Sequence, residues 1–142
     1  VTRLVAACEE QHADLAIGSR YVSGVNVVNW PMGRIIMSYC ASVYVRCISG
    51  MPVRDATAGF VCYRGTALAR LLRHPIRMKS YGFQIEMKYV AYRMGLKIVE
   101  VPIIFTDRKR GTSKMSGGIF SEALCGVIRM RFGFKKSIGN ES

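Results

Sequence analysis

Asp14-Leu15-Ala16-Ile17-Gly18-Ser19-Arg20 is the stretch on which the fold turns. A short continuous apolar run ending at Gly18 reads as a buried strand. It delivers Ser19 and Arg20 to its C-terminal end, where sheets of α/β proteins place their ligands. Upstream, Val1 to Gln11 has helical spacing, with Leu4, Val5 and Cys8 on one side. Downstream, residues 21–30 form a loop holding Gly24 and two asparagines. Asn29 is expected to cap the next helix, with Pro31 in its first turn. That helix runs to about Ser49 and is stopped by Gly50 and Pro52. Arg54 and Asp55 fall in a polar turn, and residues 59–64 read as a strand. Thr66 is expected to cap a short helix to Arg73. A helix follows from Phe83 to Met94, closed by Gly95, then a long strand from Leu96 to Phe105 with Pro102 near an edge or bulge. Residues 106–118 read as loop, and Ile119 to Arg131 as a basic amphipathic helix followed by a polar tail, residues 132–142. Strands alternating with helices predict an α/β layered sheet.

The chain has 142 residues, half of them apolar, enough for one domain with a buried core. Lys and Arg number 21 against 9 Asp and Glu, for a net charge of +12. Such an excess favours anionic partners: nucleic acid, anionic lipid or phosphorylated substrates. The five cysteines lie among apolar neighbours with no Cys-x-x-Cys pair, and read as buried free thiols of a reducing compartment. His12 and His74 have no partner at metal-ligand spacing. The longest apolar stretch, Ile35 to Ser49, is interrupted by Arg46 and falls short of the ~20 residues of a membrane span.

Arg34 and Ser38 are four apart, so they share one face of their helix. A guanidinium and a hydroxyl so placed can cradle a phosphate. A second basic loop, Asp107-Arg108-Lys109-Arg110-Gly111-Thr112-Ser113-Lys114, joins cations to flexible Gly and Ser residues and suits phosphate oxygens too. Two such sites imply two phosphate-bearing ligands, with the second loop closing as a lid. Asp55 and Glu86 are the carboxylates considered for catalysis. Asp55 has an equal claim as a turn cap. Glu86, on an apolar helix face, is expected to pair with a nearby Arg or Lys.

Gly18-Ser19-Arg20-Tyr21-Val22, Trp30-Pro31 with Arg34 and Ser38, and Asp55-Ala56-Thr57-Ala58-Gly59-Phe60 resemble the polyprenyl-phosphate mannose synthases. These are also called dolichyl-phosphate mannosyltransferases, within the family 2 inverting glycosyltransferases. Tyr81 to Met87, Val101-Pro102-Ile103, and Phe105, Arg108, Gly111, Ser113 and Lys114 continue the match in order to about residue 131. The resemblance implies the C-terminal part of a GT-A domain, a Rossmann-like mixed sheet flanked by helices, over residues 1–131. It also implies transfer of a sugar, mannose from GDP-mannose above others, to a polyprenyl phosphate; transfer of glucose or another sugar, or to another acceptor, is the alternative. By resemblance Arg20, Arg34 and Ser38 hold the acceptor phosphate, and Arg108 and Lys114 serve the donor pyrophosphate. A divalent metal, Mg or Mn, is expected on an Asp-x-Asp motif that this sequence lacks. The helical pattern starts at Val1 without an initiating Met, so the chain is expected to be a C-terminal portion, inactive alone and prone to self-association through surface left open. A peripheral place at the cytoplasmic membrane face follows from the same resemblance. A basic nucleic-acid module is the remote alternative; neither an RNA-binding aromatic motif nor a recognition helix is present, so no nucleic-acid partner is expected.

Overall fold

The computed structural model describes residues 1–106 and 117–138. Its centre is β1 (Leu15–Ser19), buried along its whole length. β1 pairs antiparallel with β3 (Val61–Tyr63) and parallel with β4 (Ile98–Pro102), giving a mixed sheet ordered β3-β1-β4. A strand flanked and covered on both faces has no polar side, which is why residues 15–17 are uniformly apolar. Leu15 and Ile17 enter the larger core with Val45, Leu71, Ile85 and Tyr89. Ala16 faces the other way, against Leu4, Ala7 and Cys8 of α1 (Thr2–Glu10). Helices therefore cover both faces, and the described part is a mixed α/β structure as the sequence predicts.

Three helices form the thicker layer: α2 (Met32–Ser49), α4 (Tyr81–Arg93) and α5 (Gly117–Ile138). α2 ends at Gly50, whose φ of 73° is left-handed and whose N–H reaches the Arg46 carbonyl at 2.9 Å. This is the glycine stop read from the sequence. The Tyr44 hydroxyl donates to the Leu124 carbonyl, and Arg131 donates to the Ser49 carbonyl, pinning α5 along α2. α4 is buried from Ile85 through Ala91 without a break, so it is a core helix and not an amphipathic one. At Gly18 a Cβ would meet the Phe60 ring at 2.6 Å and Ile103 at 3.2 Å, so only glycine lets these side chains close over the end of β1.

Several local expectations are corrected. Asn29 does not cap α2; it takes a left-handed φ of 62°, which Asn tolerates, and Pro31 occupies the N-cap. The cause is tertiary: β2 (Val27–Val28) pairs in parallel with β5 (Phe105–Thr106), and this fixes the chain before the helix. The expected long strand from Leu96 is split into β4 and β5 by the same pairing. Thr66 lies inside α3 (Gly65–Leu71), whose N-cap is Arg64. α5 continues through Ile138, so residues 132–138 are helix where a polar tail was expected. On α1 it is Ala7, not Val5, that joins Leu4 and Cys8 inside. Of the five thiols, all free, only Cys8 is buried; Cys40, Cys47 and Cys125 are exposed, because apolar neighbours in sequence lie on other sides of a helix.

Candidate functional site

Arg20 leaves the end of β1 and folds onto Asp55, which is fully buried in the turn between α2 and β3. The Arg20 Nε and Nη2 donate to the two carboxylate oxygens at 2.8 and 2.7 Å, and the Arg20 backbone N–H donates to the same carboxylate at 2.9 Å. Nη2 also donates to the Thr57 hydroxyl at 2.9 Å. Such a bidentate fork fixes the plane of the guanidinium. Burial alone would lower the Arg20 pKa, but the hydrogen bonds and charge of Asp55 outweigh it and raise it further.

The turn that carries Asp55 is held from below. Glu100 on β4 accepts the backbone N–H groups of Arg54 and Asp55, both at 3.0 Å. Lys88 on α4 is fully buried and donates to the carbonyls of Ala56 at 2.9 Å and Ala58 at 2.5 Å. Burial pulls its pKa down to about 8, against the attraction of Asp55.

Arg34 and Ser38 lie on the face of α2 turned toward this turn. Together with Arg20, both line a cleft of about 250 Å³. The Arg34 guanidinium lies over the Trp30 ring, 4.1 Å from its centroid. The Tyr21 hydroxyl donates to Ser38 Oγ at 2.8 Å. A hydroxyl that accepts one bond still has its own proton to give. Beyond these polar groups the wall is apolar: Val45 from α2, Ile85 from α4, Ile103, and Phe120, Leu124 and Val127 from α5. The cleft is thus cationic on one side and greasy on the rest, and can take an anion that carries a hydrocarbon.

The three acceptor-side residues expected from the sequence therefore meet at one cleft. Asp55 is the partner of Arg20 and lies beneath the cleft, not among the residues that line it. Glu86 stands apart: its carboxylate accepts the backbone N–H groups of Arg77 at 2.9 Å and Met78 at 2.7 Å, where pairing with an Arg or Lys side chain was expected. It borders a second cavity of about 670 Å³, between α4, α5 and the segment before α4. Arg108 and Lys114 lie outside the described residues. Sequence reasoning gave no site role to Lys88, Glu100, Tyr21 or Trp30, although Tyr21 and Trp30 stand in the motifs that carry the resemblance. Trp30 lies ahead of α2, so helical spacing did not announce its contact with Arg34; the others act through contacts distant in sequence. Among the described residues no group of three or more His, Cys, Asp or Glu could hold a metal ion. None of the described helices is long and apolar enough to cross a membrane.

No family model matches the chain. It is 47% identical over 117 residues to an undecaprenyl-phosphate mannosyltransferase of Micrococcus luteus, covering 82% of this chain and 48% of that protein. A polyprenol monophosphomannose synthase of Mycolicibacterium smegmatis is 46% identical over 112 residues, 79% of this chain and 42% of the relative. A dolichol-phosphate mannosyltransferase of Pyrococcus furiosus is 35% identical over 122 residues, 83% of this chain and 33% of the relative. The chain thus spans about half or less of the length of these curated relatives. Identity at this level, sustained over about four-fifths of the sequence, makes these mannosyltransferases homologues of the chain over the matched residues.

Proposed function

We propose that this protein transfers mannose from GDP-mannose to a polyprenyl phosphate, with inversion, on a GT-A framework. The observation that carries the reading is the cleft itself: Arg34, Ser38 and the clamped Arg20 lie beside an otherwise apolar wall. An anion on a hydrocarbon chain matches both halves. The relatives' names agree, each naming a mannose transferase or synthase together with a polyprenyl lipid.

A phosphate monoester is largely ionised at neutral pH, since its second pKa is about 6. Its oxygen attacks the anomeric carbon as it stands, forming a carbon–oxygen bond while the bond to the nucleoside diphosphate breaks. No base need remove a proton, and neither Asp55 nor Glu86 is asked to. Arg34 and Ser38 would hold and aim the acceptor, the Tyr21 bond directing the Ser38 proton away from Tyr21 and toward it. The donor-side cations would be Arg108 and Lys114, on the resemblance alone. Among the described residues no group of three or more His, Cys, Asp or Glu could hold the divalent metal that the resemblance implies. α5 exposes Ile128 and Phe132 beside Arg129 and Arg131, which suits peripheral binding to an anionic membrane face, proposed as the cytoplasmic one.

The test is transfer by the full-length protein. Radiolabelled GDP-mannose should yield a labelled lipid with undecaprenyl phosphate, and none with undecaprenol, which lacks the phosphate. A labelled lipid from undecaprenol, or none from undecaprenyl phosphate, would refute the reading.

A further inference from the structure

We propose that Trp30 is a positioning residue for the acceptor site: its ring seats the Arg34 and Arg20 guanidiniums together at the cleft, so that one phosphate meets both. The inference rests on the reading of the cleft as the acceptor site.

The geometry is specific. The Arg34 guanidinium carbon lies 4.1 Å from the Trp30 ring centroid and that of Arg20 lies 5.3 Å from it. Both are within the range in which the quadrupole of an aromatic face attracts a cation. Arg20 is also 5.1 Å from the Tyr21 ring. Two guanidiniums repel each other, and the Asp55 carboxylate pairs with Arg20. A shared electron-rich face offsets part of the remaining repulsion while keeping both cations near one point. The ring is itself held edge-on by Phe105, centroids 5.4 Å apart, and Phe105 is fixed by the pairing of β5 with β2. The platform is thus tied to the strand pairing beside it.

A second observation is independent of the cations. The Trp30 indole N–H is buried and has no hydrogen-bond partner among the described residues. An unmet buried donor is a cost that a phenyl ring would avoid. Trp offers in exchange the broadest and most strongly cation-attracting face among the aromatic residues, which is what seating two guanidiniums requires.

Steady-state transfer to undecaprenyl phosphate by the full-length enzyme tests this with Trp30→Leu and Trp30→Phe. The leucine variant should raise the acceptor KM about 5–30-fold, the range a partly desolvated cation–π contact gives. Donor KM should be unchanged and kcat should stay within about twofold, because Trp30 acts on the acceptor's seat and not on the leaving group. The phenylalanine variant keeps a weaker face and should raise the acceptor KM only about 2–4-fold. A purely structural Trp30 would instead lower melting temperature and kcat with the acceptor KM unmoved in both variants, which overturns the proposal. Should Trp30→Leu fail to fold, the phenylalanine variant decides alone: a raised acceptor KM supports the platform and an unchanged one overturns it. Transfer by wild type with no Trp30 effect overturns the platform and leaves the functional reading standing. No transfer by wild type overturns both.

Discussion

Replacing Asp55 with Ala is expected to destabilise the fold by about 3–5 kcal/mol, the range for removing one partner of a buried ion pair. Asp55 is fully buried and the Arg20 side chain is only 11% exposed, so the stranded guanidinium cannot turn to water in place. The loss is larger than the pair's own worth. The Arg20 backbone N–H and the Thr57 hydroxyl lose the same carboxylate, and the buried Lys88 ammonium loses a compensating charge. A double variant, Arg20→Met with Asp55→Ala, should recover much of the stability, since replacing both charges removes the desolvation penalty. It should not recover acceptor use. Urea unfolding of the full-length protein reads the first effect; a single-variant cost below about 1 kcal/mol would show that Arg20 is not held as described.

The second large effect concerns Lys88 and pH. Its pKa falls from the ordinary 10.5 to about 8 on folding, chiefly through burial. Below about pH 8 the side chain is charged in both states, and the fold carries the full cost of burying the ammonium. Above about 10.5 it is neutral in both. In between, the unfolded chain holds the proton and the folded one does not, so raising pH favours folding. At about 1.36 kcal/mol per pH unit, wild-type stability relative to Lys88→Met should rise by roughly 3 kcal/mol across that window. Denaturant midpoints of the two proteins between pH 7.5 and 10.5 measure it. A difference that is flat, or that shrinks as pH rises, would mean that folding does not lower the Lys88 pKa and that its partners fully offset its burial. Lys88→Met also leaves the Ala56 and Ala58 carbonyls without their donor, so the turn carrying Asp55 should loosen at every pH.

Much of the framework was legible because local signals agreed with the tertiary result. Residues 15–17 have no polar face because β1 has none, and Gly50 stops α2 through its own backbone. Arg34 and Ser38 could be placed on one face from their spacing alone, and the structure puts both at the cleft. The failures share a cause. Asn29 and the split of β4 from β5 depend on strand pairing between residues 27–28 and 105–106, which no local pattern announces. Lys88 sits in the stretch of α4 that is buried without a break, where periodicity carries no signal and a lysine reads as a surface residue. The partners of Arg20 and Glu86 were matters of chain folding too: Asp55 lies 35 residues from Arg20 in sequence. The Glu86 carboxylate found backbone donors, which no side-chain pattern could reveal.

Acceptor kinetics of Arg34→Ala in the full-length enzyme test most directly whether Arg34 binds the acceptor's phosphate. A charge-assisted hydrogen bond contributes about 1.5–3 kcal/mol, so kcat/KM for undecaprenyl phosphate should fall about 10–150-fold. The KM for GDP-mannose should stay within about twofold, because this assignment gives Arg34 a contact with the acceptor and none with the donor. Unchanged acceptor kinetics, or an equal loss in donor binding, would contradict the assignment.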